Sequence, residues 1–307
     1  IVYGALLCGV VLLCNSCMLG RRQIKSPELE LPATVVAGAT DSLTMADMAW
    51  WNVYSDSTLT ALIERTLERN KDMLAASARV RRMRALGRVA RADQLPSVSG
   101  QLVADTEHND YDGEAAKNDP EFDAKVSLAW ELDLWGNLRW ANRKAVAEYL
   151  ATVDAQRALQ MTLVAEVATA YYELVALDQE LSIVRRTLQT RKEGVRQARL
   201  RFEGGLTSET ALQQAKVELA STATLIPGLE SRIALKEHQI ALLAGAYPTL
   251  RIDRQTMEMH ARLPERLKVG LPSELLKRRP DLRQSEQTLR AAEAAMGMAS
   301  ADRFPRI

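Results

Sequence analysis

The residues that could do chemistry are few, and they sit in odd places. Cys8, Cys14 and Cys17 all fall in the opening stretch IVYGALLCGVVLLCNSCMLGRR, and no cysteine follows Cys17. A thiolate is a nucleophile and a soft metal ligand, yet thiols confined to one apolar leader leave the body of the chain with neither. The chemistry their setting suits is acylation after cleavage. The stretch reads as the apolar core of a secretory signal, too short for a membrane span of about 20 residues. Ser16 supplies the small residue expected before a lipidated cysteine, and Pro27 and Pro32 punctuate a polar tether after it. Cys14 follows Leu13 and is the poorer acceptor. Cys17 is therefore the expected lipid attachment site; plain signal cleavage is the bland alternative. Either way the chain is exported with no cysteine pair left to oxidise, so its stability has to come from packing.

Other candidates thin out quickly. His108, His238 and His260 are far apart in sequence and no cysteine lies near them, so no Cys/His metal cluster is expected. MEMH, Met257 to His260, offers thioethers and an imidazole that suit Cu(I), but it reads more simply as a loop with surface methionines. Acidic residues lie beside Arg and Lys on helical faces, as solvated ion pairs do. No carboxylate pair stands out for acid–base work. Neither enzymatic activity, nor a metal, nor a cofactor is expected. With 40 basic and 39 acidic residues and a pI near 7.9, there is no electrostatic ground for nucleic acid as a partner.

What the elements have to position is therefore a set of surfaces. Aromatics are scarce, at 5%, while Ala, Leu, Arg, Glu and Gln dominate, the profile of long helices. Shifting the sequence against itself by 209 residues lays DMLAASARVRRMRALGRVARADQLPSV on DLRQSEQTLRAAEAAMGMASADRFPRI without a gap. Asp72/Asp281, Arg81/Arg290, Ala85/Ala294, Ala90/Ala299, Ala92/Ala301, Asp93/Asp302 and Pro96/Pro305 are identical pairs. Shared helical composition would not put Asp and Pro in register at both ends. The chain is thus a duplication, and the second copy is expected to be truncated about where the first begins its strands.

The organisation that follows is a partial signal over 1–17, a linker over 18–58 and a first repeat over 59–245. An irregular connection over 246–276, with Pro248, Pro264 and Pro272, leads to a second repeat beginning at 277–307. Within the first repeat the pattern predicts a helix over 59–93, stopped by Pro96, and strands over 97–107 and 122–132. It then predicts a helix over 137–203, the turn GGLTS and a helix over 208–244. Leu163, Val167, Ala170, Leu174, Leu177, Leu181, Val184 and Leu188 step by alternating fours and threes, and Val195, Ala198 and Phe202 continue the series. Sustained 3.5-residue spacing marks a coiled-coil seam, here on a rod on the order of 100 Å long. Leu212, Ala215, Leu219 and Thr222 repeat the spacing on the partner helix, which Pro227 should bend. In GGLTS, two glycines supply positive φ and Thr207 or Ser208 the N-cap, with Glu209 in the first turn.

The stretch FDAKVSLAWELDLWGN starts with strict alternation: Phe122, Ala124, Val126, Leu128, Trp130 and Leu132 on one face, mostly polar residues on the other. Eleven such residues span about 36 Å, enough to cross a bilayer at the usual tilt, with Trp130 and Trp135 placed to anchor at an interface. A half-buried strand of a soluble sheet would show the same alternation. Export, and the scarcity of strands beside so much helix, favour the membrane. Two strands have open edges that lipid cannot satisfy, so several chains have to pool strands in one closed barrel.

Taken together, these segments resemble the TolC-like outer-membrane efflux proteins, in the lipoprotein branch (NodT-type) that serves RND pumps. The resemblance runs along the whole chain: WWNVYSDSTLTALIERTLERNKD, ARADQLPSV, SLAWELDLWGNLR, ATAYYELVALDQEL, ARLRFEGGLTSETALQQAKVEL and LPSELLKRRPDLRQSE, in family order. It implies a mainly α fold with transmembrane β: a homotrimer whose protomers each give four strands to a twelve-stranded barrel in outer-membrane lipid, and long helices to a periplasmic tunnel. By that resemblance half of each protomer's set is present here. It further implies that the GGLTS turn is the periplasmic tip where an adaptor's helical hairpin docks, which assigns Arg201, Gly204, Gly205, Leu206, Thr207 and Ser208 to that contact. The implied function is a passive conduit, driven by an inner-membrane pump, for drugs or metal ions. The alternative is a periplasmic adaptor lipoprotein, also exported and coiled-coil. Adaptors flank their hairpin with short Gly-punctuated strands, whereas here one long strand and an Ala-rich repeat flank it. Trp50 and Trp51 read as packing residues at the waist of the rod.

Overall fold

Two helices stand where the pattern predicts one. In this computed structural model, which describes residues 56–109, 117–254 and 278–306, α1 spans Ser57–Arg69 and α2 spans Lys71–Ala92. Asp56 starts α1, its Oδ1 accepting from the backbone of Thr58 at 2.8 Å and Leu59 at 3.1 Å. The break is Asn70, whose backbone is extended (φ −60, ψ 133). Its Oδ1 accepts from the Asp72 and Met73 amides at 2.9 and 3.1 Å, so it caps α2 while ending α1. Its Nδ2 donates to the Leu243 carbonyl at 3.0 Å. A continuous helix over 59–93 would forfeit all three bonds.

α2 leads through Pro96 into β1 (Ser97–Asn109), which pairs antiparallel with β2 (Lys117–Ala129) in a two-stranded sheet. The ladder runs from Ser97 opposite Ala129 to Asn109 opposite Lys117. Both strands therefore differ from the expected 97–107 and 122–132: pairing with the partner extends them on the loop side. At the other end Pro96 has no N–H to give, so Trp130 and Leu132 lie beyond the last rung. The Trp130 indole instead donates to the Gln94 carbonyl at 3.3 Å.

α3 runs unbroken from Asn137 to Glu203, 67 residues and on the order of 100 Å, as its period demands. Asp133 starts it: its carboxylate accepts from the Leu138 and Arg139 amides at 3.1 and 2.9 Å. α4 spans Glu209–Leu243, passes through Pro227 and folds back along α3. Leu163, Val167, Ala170, Leu174 and Leu181 of the α3 seam are buried, with Leu177 and Val184 packed against the same core. They meet Leu229, Ile233 and Ile240 of α4 and Leu59, Leu62 and Ile63 of α1. Nearer the turn Leu212 is buried while Leu188, Val195 and Ala198 are only half-buried.

α5 spans Pro280–Ala301. Its bounds are those of α2 displaced by 209 residues, and both helices close on an aspartate, Asp93 and Asp302, with nearly equal dihedrals (φ −61, ψ −16 and φ −62, ψ −10). The first half of α3 lies against both copies, antiparallel to each. Gln156 Nε2 donates to Ser77 Oγ at 2.9 Å on the α2 side. On the α5 side, Asn137 Nδ2 donates to Asp302 Oδ1 at 2.6 Å, and Gly297 lies under the Trp140 ring, so close that a Cβ would stand 2.4 Å from it. Gly297→Val is expected to force α5 off α3, and near-ultraviolet circular dichroism of Trp140 would register the loss.

Candidate membrane hairpin and docking tip

The hairpin carries one apolar face and exposes it. Val98, Gly100, Leu102 and Ala104 of β1 stand opposite Leu128, Val126, Ala124 and Phe122 of β2, and side chains at alternate positions share a face. The large ones are open: Leu102 85%, Phe122 82%, Val126 80%, Val98 and Leu128 72% exposed. The other face pairs Ser99 with Ser127, Gln101 with Lys125 and Asp105 with Glu121. A contiguous apolar band on a hairpin projecting from a rod has to be covered by something. Trp130, 58% exposed, continues the band past the ladder, and Leu132, 44% exposed, follows it. Trp135 departs from its expected role: its ring stacks on Phe304 at 4.6 Å and its Nε1 donates to the Pro305 carbonyl at 2.9 Å. It fastens the end of α5 to the strand–helix passage. Among the described residues no helix is long and apolar enough to cross a membrane.

The opposite end of the rod is the turn. The amide of Leu206 donates to the Arg201 carbonyl at 2.8 Å and that of Gly205 to the Phe202 carbonyl at 2.9 Å, the paired bonds of a Schellman motif. Gly205 is the left-handed residue, at φ 70, whereas Gly204 sits at φ −78 and so does not supply the second positive φ that was expected. Ser208 occupies the N-cap position of α4 but makes no side-chain capping bond, and Thr207 Oγ1 is enclosed without a partner. Leu206 projects, 78% exposed, and Arg201 is exposed beside it. The structure thus brings all six tip residues together on one turn.

Along the rod, α3 and α4 are laced by Arg185–Glu230 at 2.8 Å, Arg232–Glu180 at 3.1 Å, Lys236–Glu173 at 2.6 Å and Arg191–Glu218. These are exposed pairs, worth little each, and they set register more than stability. Near the tip, hydrogen bonds from Arg196 and then Gln197 hold the Glu193 carboxyl down to about 2. Asp154, 2% exposed, is held by Arg157 of its own helix at 3.1 Å and Arg283 of α5 at 3.5 Å. Sequence reasoning missed this triad, because nothing in the α3 pattern separates one buried acid from the solvated ones. Cys17, Trp50, Trp51 and Met257–His260 lie outside the described residues.

A model of the family described as outer membrane efflux protein matches residues 62–246. Nodulation protein T of Rhizobium leguminosarum bv. viciae is 31% identical over 299 residues, covering 96% of this chain and 61% of that protein. The solvent efflux pump outer membrane protein SrpC of Pseudomonas putida is 33% identical over 260 residues, covering 83% of this chain and 54% of that one. Among solved structures, the outer-membrane channel OprN superposes with a TM-score of 0.78 at 31% identity, over 92% of this chain and 65% of that chain. The chain thus spans between just over half and about two thirds of the length of these relatives. With the family matched across most of the α1–α4 repeat that builds both hairpin and rod, the chain belongs to the outer membrane efflux proteins.

Proposed function

We propose that the protein is the outer-membrane channel of a tripartite efflux pump: a passive conduit, not an enzyme, through which an inner-membrane RND pump and its periplasmic adaptor expel drugs, solvents or metal ions. The observation that carries this is one hairpin with an exposed apolar face set at the end of a two-helix rod on the order of 100 Å long. A trimer supplies what one protomer lacks, a closed barrel with no open strand edges. The names of the relatives support the reading: one is an outer-membrane component of a solvent efflux pump. The adaptor alternative is disfavoured by that same hairpin, which is a long paired ladder and not a set of short Gly-punctuated strands.

The tip assignment tests the working partnership. An exposed side chain on a turn buries little, so Leu206→Glu is expected to leave the amount of outer-membrane trimer unchanged while placing a charge where adaptor helices would pack. Cells carrying it should regain sensitivity to the exported compound. Trimers that pump normally and still cross-link to the adaptor would reduce Arg201, Gly204, Gly205, Leu206, Thr207 and Ser208 to a simple reversal of the chain.

The anchor is tested separately. Feeding cells a clickable fatty acid should label the wild-type protein and not Cys17→Ser. Retained label in that variant, with loss in Cys14→Ser, would move the site to the earlier cysteine.

A further inference from the structure

α2 and α5 match in length and in their closing aspartates, yet each buries the face that the other leaves bare. On α2, Met73 and Ala76 are buried and Val80, Met83, Gly87 and Ala90 half-buried, along α3. The residues 209 places later on α5 are open: Leu282 is half-buried, and Leu289, Ala292, Met296 and Ala299 are exposed. α5 instead buries Gln287, Ala291, Ala294 and Ala301 against α3. On α2 the residues matching these are Ala78, Arg82, Ala85 and Ala92, all exposed, with the exposed Leu74 and Val89 on the same side.

At about 100° per residue, the covered and bare faces of α2 look in nearly opposite directions. The same holds within α3: Gln156, which meets α2, lies opposite Trp140 and Asp154, which meet α5. Helices that touch neighbours on opposite sides stand in a row. Four helices closing on one bundle core would turn their two contact faces at roughly a right angle. A row whose ends carry exposed leucine, valine and methionine has to be continued. The bare face of α5 matches the one with which α2 grips α3, so it fits a second long helix that follows α5 as α3 follows α2. Nodulation protein T holds more chain than this protein, which covers 61% of it. Such a helix would turn its far side to a short helix offering the face that α5 turns to α3, and the bare face of α2 is that match.

We propose that the bare face of α2, carrying Leu74, Ala78, Ala85, Val89 and Ala92, is where one copy of the protein meets the next, and that its occupant is the second long helix of the neighbouring copy. The proposal rests on the conduit reading above and on the repeat. A row cannot bend back within one protomer to reach its own α2, whereas copies set side by side close it into the wall of a tunnel. The small residues admit a close approach of the kind seen where Gly297 lies under Trp140. Arg82 stands in the place of the buried Ala291, and once covered it requires a carboxylate across the contact. The contact between copies is thereby distinguished from the contact within one.

The test combines Ala85→Cys with a single cysteine walked along the second long helix of the full-length protein, and oxidises outer membranes that contain it. A disulfide needs Cα atoms within about 7 Å, so links report a close contact. At one register, bands of two and three linked copies should appear on non-reducing gels. Arg79→Cys, exposed on α2 as Thr288 is at the matching place on α5, should give none. In parallel, Ala85→Trp should lower the yield of trimer several-fold while Arg79→Trp leaves it unchanged, because neither ring meets an obstacle in a lone protomer. Links formed only within single copies would overturn the proposal by placing the face inside the protomer. Absence of links at every position in a trimeric protein would overturn it too, as would equal trimer yields for the two tryptophan variants. Wild-type protein recovered only as monomer would sink the conduit reading and this proposal with it, and the wild-type measurement tells that failure from the others.

Discussion

Val126→Arg in the full-length protein is expected to abolish most membrane assembly, while Ser127→Arg, one residue along the same strand, leaves it largely intact. Val126 stands opposite Gly100 near the middle of the exposed apolar band and is itself 80% exposed. If lipid covers that band, an arginine there costs about 2–4 kcal/mol per protomer, and a trimer carries the cost three times. Gly100 has no side chain to shield the charge, and the long guanidinium would have to reach the boundary to be solvated. Ser127 lies opposite Ser99 on the polar face, where an arginine would meet water and Lys125 and Asp123 as near neighbours in sequence. The measurement is the fraction of protein recovered as trimer from outer membranes, against total protein. Equal losses for the two variants would mean that the hairpin face does not meet lipid, and the conduit reading would lose the observation it depends on.

How far the sequence alone reaches is clear from where these elements begin and end. A 3.5-residue period over Leu163–Leu188 reports packing against a neighbouring helix, so α3 and the buried part of its seam, Leu163–Val184, were legible; Phe202, expected to continue the seam, is instead 38% exposed. The matching ends of α2 and α5 were equally legible, because aspartate and proline at matched positions are end signals and not merely helix formers. The break at Asn70 was not. Asparagine inside a run of good helix formers costs little by itself; its capping bonds to Asp72 and Met73 are a local signal, but its bond to the Leu243 carbonyl is long-range, and no local pattern records that. The ends of β2 were misjudged for a related reason: alternation marks which residues share a face, but the ladder's length is set by β1. At the tip, residue types predicted a turn with two left-handed glycines, whereas the Schellman geometry uses Gly205 alone.

The junction that the sequence concealed should be the most sensitive point of the rod. Gly245, just after α4, sits at φ 59 and is left-handed, its amide donating to the Leu242 carbonyl at 3.0 Å while Ala246 donates to Ala241 at 2.8 Å. This is the same capping geometry as at Gly205, which stands at φ 70. The surroundings differ. Nothing lies within 4 Å of a Cβ built on Gly205, but one built on Gly245 would stand 2.3 Å from the Arg69 carbonyl oxygen and 2.7 Å from its carbon. Backbone cannot swing aside as a side-chain tip can, and Asn70, 5% exposed, ties the same turn to Leu243. Alanine at Gly205 therefore meets only the conformational cost of the left-handed region, about 1–2 kcal/mol. Alanine at Gly245 adds a steric overlap that α1, α2 and α4 have to separate to relieve, and the total should reach about 3 kcal/mol or more. Thermal unfolding of the purified full-length variants, followed by helical circular dichroism, should show Gly245→Ala melting well below Gly205→Ala. Equal melting points would mean that the α1–α2 junction yields without cost, and that the contact between Arg69 and Gly245 does not hold the base of the rod together.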